Sequence, residues 1–368
     1  MNAMLLAAGK GTRLRPLTHD TPKPMLPILN RPVMEWLVET LAAQGFSRIM
    51  VNTSYRAPQI EDYFRDGARW GVDIGYSFEG HLVGDLLVDA PVGSAGALRR
   101  IQDHGQFFAS TTLVLCADAL IDLDLAAFLR EHRARGAMAS MAVTRVARER
   151  LTDYGVVLTD ADGRVRAFQE KPGPAAAKSN VINTGIYLFE PEVLDYIPSG
   201  TPYDIGSQLF PALIAAGAPV FASELPLDWR DIGTVGDYHA TSLAALDGSI
   251  PGLRARGRLV RPDVLAGPNV RADWSTIDVR GRVLVGAGAS IGAGCTLIGP
   301  CVIGHGAVLE AGVSLQRTLV EPHTRITSGT VLTNAMVAPK YAITAAGDAL
   351  PQHGVRDARC QSQDEVAA

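Results

Sequence analysis

The sequence has few cysteines, little net charge and no long apolar run, and each of these absences excludes a class of protein. The 368 residues include four cysteines, at positions 116, 295, 301 and 360, and none forms the CxxC pair that indicates a zinc site. Nothing in this pattern requires disulfides, so a reducing cytoplasm is the expected location. A formal charge of −4 gives no support to a nucleic-acid-binding surface.

The apolar segments are also too short for a membrane protein. No run reaches the roughly 20 residues of a membrane-spanning helix. The amino terminus shows no basic segment, apolar segment or cleavage site of a secretory leader. We therefore expect neither a membrane nor a nucleic acid as a partner.

What is present is the composition of an ordinary globular protein, with 47% apolar and 20% charged residues. The length is sufficient for two domains. Near the amino terminus, apolar strand-like runs at 48–52 and 72–77 alternate with helical patterns at 31–45 and 58–64. This alternation predicts an α/β domain built on a doubly wound, mostly parallel sheet.

A repeat of six residues marks the second half of the chain, most strictly over 285–320. It predicts a left-handed parallel β-helix with three hexapeptides in each triangular coil, and looser coils extend it over about 261–343. The first repeat position is always aliphatic and comprises Val285, Ile291, Leu297, Ile303, Leu309 and Leu315. The second position has small side chains at first and larger ones toward the end, and comprises Ala289, Cys295, Cys301, Ala307, Val313 and Leu319.

The most distinctive stretch is 4–27, where a short apolar run leads into a glycine-rich turn. The run 4–7 suits a buried strand, and Gly9 and Gly11 permit positive φ and close approach of a ligand. Such a turn presents backbone N–H groups that bind phosphate oxygens. Lys23 stands between prolines in a stiff loop, so its charge has a fixed position. The stretch therefore predicts chemistry on a polyphosphate, although its spacing fits neither the Walker pattern nor the dinucleotide fingerprint.

Residues 4–18 and 21–27 together resemble the signature of the sugar-1-phosphate nucleotidylyltransferases, also called NDP-sugar pyrophosphorylases. The form Arg-Pro-Leu-Thr followed by Lys-Pro-Met-Leu-Pro is most similar to the bacterial mannose-1-phosphate guanylyltransferases. The resemblance covers nearly the whole chain and implies a Rossmann-like, GT-A-like mixed-sheet domain followed by a left-handed β-helix. With the linker-like composition of 246–262, the expected boundaries are a catalytic domain at 1–245, the linker, a β-helix at 263–345 and a disordered tail at 346–368.

The resemblance implies a nucleotide site and two central cations. Arg13 would stabilise the departing pyrophosphate and Lys23 would clamp phosphate. The segment 93–96 is similar to the family's Gly-Thr-Ala-Gly loop, which lies against the base; a plain helix start with Ser94 as its cap is the alternative. Residues 81–91 look like an insertion before this loop. The implied nucleotide-binding residues are Leu6, Ala8, Gly9, Gly11, Thr12, Arg13, Lys23, Ser94 and Gly96.

Three later segments match the family's sugar-phosphate segments in order. Glu170 would accept from sugar hydroxyls, Asn183 would donate and accept, and Lys171 would hold the sugar phosphate and orient the attacking group. Gly155 would let a backbone N–H approach the sugar. The implied sugar-phosphate-binding set is Gly155, Glu170, Lys171, Asn183 and Thr184.

Two carboxylates match the family's metal ligands. Asp118 follows a buried strand at 112–116, and Asp231 closes the catalytic domain. The resemblance implies that they bind Mg²⁺, with Mn²⁺ as the alternative, and that Arg13, Lys23 and Asp118 are catalytic. It implies attack of a sugar-1-phosphate oxygen on the α-phosphorus of an NTP, with release of pyrophosphate and no covalent enzyme intermediate.

Substrate identity and the role of the β-helix stay open. GTP and mannose 1-phosphate come first, because 33–36 and 70–72 also resemble the guanylyltransferase branch; dTDP-glucose, UDP-glucose or a heptose product is the alternative. A non-catalytic NDP-sugar-binding regulatory subunit is a further alternative. The β-helix is expected to drive homo-oligomerisation; the competing hypothesis is an acyltransferase site with His305 as general base.

Overall fold

The computed structural model describes residues 1–84, 86–351 and 354–359, and its chain divides into two compact units. The first unit comprises Met1–Lys10, Thr21–Met25 and Val33–Trp229. The second comprises Gly11–Asp20, Leu26–Pro32 and the chain from Arg230 onward. The domain boundaries expected at 245 and 262 stay predictions.

The first unit alternates strands and helices. Its helices are α1 (Val33–Ala43), α2 (Ala57–Phe64), α3 (Ser94–Gly105), α4 (Leu125–Ala134) and α5 (Phe210–Ala215). Its strands are β1 (Asn2–Leu6), β2 (Arg48–Thr53), β3 (Asp73–Phe78), β4 (Gly80–Val83), β5 (Leu86–Asp89), β6 (Thr112–Cys116), β7 (Ala119–Leu123), β8 (Ala139–Arg145), β9 (Val156–Thr159), β10 (Val165–Gln169), β11 (Val181–Phe189), β12 (Val220–Ser223) and β13 (Leu227–Asp231), whose last two residues belong to the second unit.

A mixed nine-stranded sheet forms the centre of this unit. Its main order is β10-β9-β11-β6-β1-β2-β3, with β8 beside β11 and β12 beside β8. Strands β6, β1, β2 and β3 are parallel, whereas β11 runs antiparallel to β6. The sheet is therefore mixed, as the family resemblance implies, rather than mostly parallel as the helix–strand alternation alone predicts.

Strand β1 is buried on both faces, which explains its uninterrupted apolar run. Leu5 packs with α1, α2 and α4 in one hydrophobic cluster. Met4, the neighbouring residue, packs with α3 and α5 in the other. The alternation of side chains along this strand thus fixes helices on both faces of the sheet.

The segment 81–91, expected to be an insertion, contains an antiparallel hairpin made by β4 and β5. Gly80 pairs with Asp89, and the Ala90 N–H donates to the Glu79 carbonyl at 2.9 Å. The hairpin therefore closes at its base, and the chain re-enters the unit next to the point where it left.

The second unit contains α6 (Val235–Asp247) and a parallel β-helix. Its strands are β14 (Arg258–Arg261), β15 (Val264–Ala266), β16 (Arg271–Ala272), β17 (Asp278–Arg280), β18 (Val283–Val285), β19 (Ser290–Ile291), β20 (Thr296–Ile298), β21 (Cys301–Ile303), β22 (Val308–Leu309), β23 (Ser314–Gln316), β24 (Leu319–Val320), β25 (Thr324–Ile326), β26 (Val331–Thr333), β27 (Ala335–Ala338), β28 (Tyr341–Thr344) and β29 (Val355–Asp357).

These strands stack in three sheets, and successive coils pair in parallel. Val285 pairs with Ile303, and Ile303 pairs with Val320. The residues of both predicted repeat registers are buried, and all of them except Leu319 belong to one core. The hexapeptide repeat therefore predicted the β-helix correctly.

Part of the tail expected to be disordered is ordered. Strand β29 pairs antiparallel with β25, and Val355 joins the β-helix core. Residues 352–353 and 360–368 lie outside the described residues, so the expectation of disorder is not examined there. Cys295 and Cys301 are buried free thiols. Across the described ranges, no helix combines the length and apolarity needed to cross a membrane.

Candidate active site

Lys23 and Asp118 meet in the first unit. Asp118 lies just beyond the carboxyl end of β6, and Lys23 begins the short turn Lys23–Met25. Lys23 Nζ is 2.7 Å from Asp118 Oδ2, and the lysine is only 8% exposed. A lysine held this deeply keeps its charge through such a partner. The structure thus joins the cation predicted to clamp phosphate with the acid predicted to bind metal.

The start of the glycine-rich turn is fixed by contacts within the first unit. The Ala117 N–H donates to the Leu6 carbonyl at 3.0 Å, and the Ala7 N–H donates to Asn52 Oδ1 at 2.7 Å. Ala8 and Gly9 follow in an irregular segment. A Cβ added at Gly9 would meet nothing within 4 Å, so open space surrounds this glycine.

The continuation of the turn belongs to the second unit. Gly11 adopts φ +59°, a left-handed conformation that favours glycine. Its carbonyl accepts from the Thr18 hydroxyl at 2.8 Å. Thr12 and Arg13 then enter the one-turn helix Thr12–Leu14. The second unit also carries Asp231 at the end of β13, where a Cβ at Gly233 would lie 2.6 Å from Asp231 Oδ2. A side chain at Gly233 would therefore require the Asp231 carboxylate to shift.

Ser94 is the first residue of α3 and not its cap. The N-cap of α3 is Gly93, and the Ser94 hydroxyl donates to Asp204 Oδ2 and accepts from the Ile205 N–H, both at 2.8 Å. The N–H groups of Ala95 and Gly96 donate to the Tyr203 carbonyl at 2.9 Å. The alternative in which Ser94 caps α3 is therefore wrong, and the segment after residue 202 fixes this loop.

Asp204 keeps its negative charge in this environment. Burial alone would raise its pKa, but hydrogen bonds from the Ser207 N–H, the Ser94 hydroxyl and the Gly206 N–H outweigh burial and lower the pKa. Sequence reasoning missed this residue because its partner Ser94 is far away along the chain. The available signal was an Asp directly before a helical segment.

The predicted sugar segments come together around β9 and β11. The Asn183 N–H donates to the Gly155 carbonyl at 2.9 Å. The Asn183 side chain donates to the Tyr187 hydroxyl at 2.7 Å and accepts from the Gly185 N–H at 3.1 Å. A Cβ at Gly155 would collide with the Phe168 ring. Asn183 is thus held in one orientation, as a ligand-reading amide must be.

The remaining sugar-site candidates differ in exposure. Lys171 Nζ lies 3.4 Å from Glu170 Oε1, both side chains are about half exposed, and Lys171 has a φ of +42°. Thr184, in contrast, is buried, and its hydroxyl donates to the Ala142 carbonyl at 2.7 Å. The Thr184 side chain is therefore committed to the sheet, whereas Glu170 and Lys171 are accessible.

His305 does not have the geometry of a general base. Its Nδ1 accepts from the Ala287 N–H at 2.9 Å, so the ring proton is on Nε2, which lies 3.2 Å from the Asn30 carbonyl oxygen. Both ring nitrogens are used in structural contacts. This arrangement removes the reason for an acyltransferase site at His305.

Comparison with known proteins identifies the family. A family model described as nucleotidyl transferase matches residues 2–248. The chain belongs to the nucleotidyl transferase family. The enzyme is 47% identical over 350 residues to a UTP–glucose-1-phosphate uridylyltransferase of Synechocystis sp., covering 95% of this chain and 90% of that protein. It is 33% identical over 333 residues to a mannose-1-phosphate guanylyltransferase of Mycobacterium tuberculosis, covering 90% and 83%.

Solved structures share the fold of this nucleotidyltransferase. A UDP-glucose pyrophosphorylase complexed with UDP-glucose matches with a TM-score of 0.56 at 22% identity, covering 67% of this chain and 98% of that one. A putative glucose-1-phosphate thymidylyltransferase from Bacillus anthracis matches with a TM-score of 0.57 at 23% identity, covering 66% and 94%. The predicted reaction class, sugar-1-phosphate nucleotidyl transfer, is confirmed by the family and its relatives.

Proposed function

We propose that this enzyme transfers a uridylyl group from UTP to glucose 1-phosphate, giving UDP-glucose and pyrophosphate. The observation that carries the proposal is the 47% identity to a uridylyltransferase along 95% of the chain, against 33% to a guanylyltransferase. GTP and mannose 1-phosphate, the pair first expected from the motifs at 4–27, are the second candidate.

In the proposed reaction, a phosphate oxygen of the sugar phosphate attacks the α-phosphorus of the NTP. The new P–O bond forms as the bond to the bridging α–β oxygen breaks, and pyrophosphate leaves with that electron pair. The contribution of the protein is to hold two anions together. Lys23, which the structure places against Asp118, would neutralise phosphate charge, and Arg13 would stabilise the leaving pyrophosphate.

A divalent cation fits this scheme. Carboxylate oxygens are the ligands that Mg²⁺ prefers, and Asp118 and Asp231 would supply them. No cluster of three or more His, Cys, Asp or Glu side chains suited to a metal occurs within the described part of the chain. A cation bound by two carboxylates would keep water and phosphate oxygens as its other ligands, which is typical of Mg²⁺ at a nucleotide. When bound, it would neutralise phosphate charge.

A substrate matrix tests the proposal. The purified enzyme is incubated with UTP, GTP, dTTP, ATP or CTP against glucose, mannose or heptose 1-phosphate, with MgCl₂ or with EDTA, and pyrophosphate release is measured. We expect the largest kcat/KM with UTP and glucose 1-phosphate and loss of turnover in EDTA. A larger kcat/KM with GTP and mannose 1-phosphate would favour the second candidate. Binding of an NDP-sugar without turnover of any pair would favour a regulatory subunit.

We also propose that the β-helix mediates self-association. Among the described residues, strand β26 pairs only with β23, and its Val331 is 70% exposed. An exposed strand edge with an apolar residue favours pairing with another copy. Light scattering that gives the mass of a monomer at working concentrations would contradict this.

A further inference from the structure

Glu79 is a buried carboxylate that no step of the proposed reaction uses. It follows β3 directly and is only 2% exposed. Its Oε1 accepts from the Asn52 amide nitrogen at 2.5 Å, and its Oε2 accepts from the Val92 N–H at 3.1 Å. A buried charge is retained where donors converge on it, because an unpaired one is strongly destabilising.

The two partners of Glu79 lead to different parts of the nucleotide site. Asn52, oriented by Glu79, accepts from the Ala7 N–H at 2.7 Å, and Ala7 opens the glycine-rich turn after β1. Val92 immediately precedes Gly93, which caps α3 and opens the loop that resembles the base-binding loop of the family. One carboxylate thus lies between the two turns.

The main chain around Glu79 is held as firmly as its side chain. The Glu79 N–H donates to the Thr53 carbonyl at 2.7 Å. The Glu79 carbonyl accepts from the Ala90 N–H at 2.9 Å and from the Ser54 hydroxyl at 3.2 Å. Because Ala90 is hydrogen-bonded to Glu79, the chain that leaves the sheet after Glu79 returns beside it before it reaches Val92.

We infer that Glu79 is a positioning residue: acting through Asn52 and Val92, it sets the spacing of the two turns that receive the NTP. The inference rests on the proposed function for the identity of the ligand. The Glu79 carboxylate bonds to the Asn52 side chain and to the Val92 N–H. Its effect on a bound nucleotide would therefore pass through the backbone of the two turns.

The donor and acceptor pattern explains why a carboxylate stands at this position. Asn52 and Val92 both present donors, and only an ionised carboxylate offers two oxygens without a proton between them. Burial raises the pKa of Glu79 overall, and the Val92 and Asn52 hydrogen bonds and the charge of Arg100 offset this only in part. A glutamine has only one acceptor oxygen, so its NH₂ group, itself a donor, would have to face one of these two donors.

A polarity swap tests the inference. Glu79→Gln leaves a donor facing a donor, and Asn52→Asp leaves two carboxylates in contact. In the double variant Glu79→Gln/Asn52→Asp, the new glutamine amide donates to the new aspartate. The aspartate still accepts from the Ala7 N–H, and the glutamine oxygen accepts from the Val92 N–H. All three hydrogen bonds and the net charge are restored, and only the bond between residues 79 and 52 has its direction reversed.

We expect each single variant to raise KM for UTP about 10- to 100-fold, the range that follows from losing a buried hydrogen bond to a charged group. KM for glucose 1-phosphate should change much less. The double variant should return KM for UTP toward the wild-type value, which is positive coupling in a double-mutant cycle. Ser54→Ala serves as the control, because it removes a contact to the Glu79 main chain and leaves the carboxylate pattern intact.

Calorimetric titration with UTP gives a readout that does not depend on turnover. Single variants that bind UTP like the wild type overturn the inference. So does a double variant that binds UTP no better than the weaker single variant. Where the single variants fail to fold, a folded double variant that binds UTP at least tenfold more weakly than the wild type overturns the inference. If the wild type binds UTP but turns over no sugar phosphate, the proposed reaction fails while the Glu79 inference is still decided by these titrations.

Discussion

Among single residues, Asp118 offers the sharpest test of the chemistry, because its carboxylate is paired with Lys23 at 2.7 Å. Asp118→Asn keeps the size of the side chain and removes its charge. We expect kcat to fall about 10²- to 10³-fold, as is typical when one charged group of a phosphoryl-transfer site is removed. Pyrophosphate release under saturating substrates measures the change.

The matched control for Asp118→Asn is Asp122→Asn. Asp122 is exposed, and its place shortly before α4 would suit an acid that starts a helix. It lies in a strand instead, and Asp124 is the residue that caps α4, accepting from the Ala127 N–H at 2.8 Å. Asp122→Asn should leave kcat and the melting temperature unchanged. Equal activity of the two variants would remove Asp118 from the catalytic machinery.

At the scale of secondary-structure elements, the contact between the start of α3 and the segment at Asp204 fixes the conformation of the predicted nucleotide loop. Ser94→Ala removes a hydroxyl that both donates to Asp204 and accepts from Ile205. We expect a loss of about 1–3 kcal/mol in the free energy of unfolding and a higher KM for the NTP. Ser94→Thr retains the hydroxyl and should behave nearly as the wild type.

The pH dependence gives this prediction a second readout. The pKa of Asp204 is lowered in the folded protein, so its stabilising contribution is present above its unfolded value of about 3.9 and is lost as pH falls through the folded value. The stability difference between wild type and Ser94→Ala should therefore shrink on acidification. A difference that stays constant from neutral pH down to about pH 3 would mean that Ser94 does not act through the Asp204 charge.

How much could be predicted from the sequence depends on the range of the contacts involved. Local patterns predicted structure correctly. The apolar runs predicted β1, β2 and β6, and the six-residue repeat predicted the β-helix. Both patterns depend on the spacing of apolar residues within one segment of the chain. The antiparallel direction of β11 in the sheet could not be predicted from such a local pattern. Its orientation is set by pairing with β6 and β8, which are remote in the chain.

The same limit applies to the candidate site. Asp118 and Lys23 were found through a motif, but Glu79, Asn52 and Asp204 were missed. Each of these works through a partner distant in sequence, such as Ala7 for Asn52. The signal available for Asn52 was a polar residue at the end of an apolar strand.

Within the whole molecule, the second unit is assembled from three separate stretches of chain, and a small polar network joins the second of them, Leu26–Pro32, to the third. The Tyr238 hydroxyl on α6 lies 2.8 Å from the Pro27 carbonyl and 3.3 Å from Glu321 Oε1 on the β-helix. The segment Leu26–Pro32 is also held by Asn30, which donates to the Ile303 carbonyl at 3.1 Å. The β-helix therefore supports the loop that follows Lys23 in sequence.

This network predicts a pH-dependent stability of the second unit. Burial raises the pKa of Glu321 from its ordinary 4.5 to about 7, against the lowering effect of the Tyr238 hydrogen bond. Because the folded value is raised, the contribution of the neutral acid is fully present below about pH 4.5 and is lost as pH rises through about 7. Glu321→Gln, which cannot ionise, should gain on the order of 1–3 kcal/mol relative to wild type between about pH 5 and about pH 8.

Glu310→Gln serves as the control, because the pKa of Glu310 is shifted in the opposite direction from that of Glu321. Burial alone would raise the pKa of Glu310, but hydrogen bonds from Arg325 and Ser328 outweigh burial and lower it. Removing this charge should therefore destabilise the protein more at neutral than at acidic pH. Urea unfolding of the wild type and of both variants at several pH values in this range measures how the free energy of unfolding of each protein changes with pH. Parallel slopes for Glu321→Gln and wild type would mean that Glu321 is already ionised within its network, and Tyr238 would then be the donor that sustains its charge.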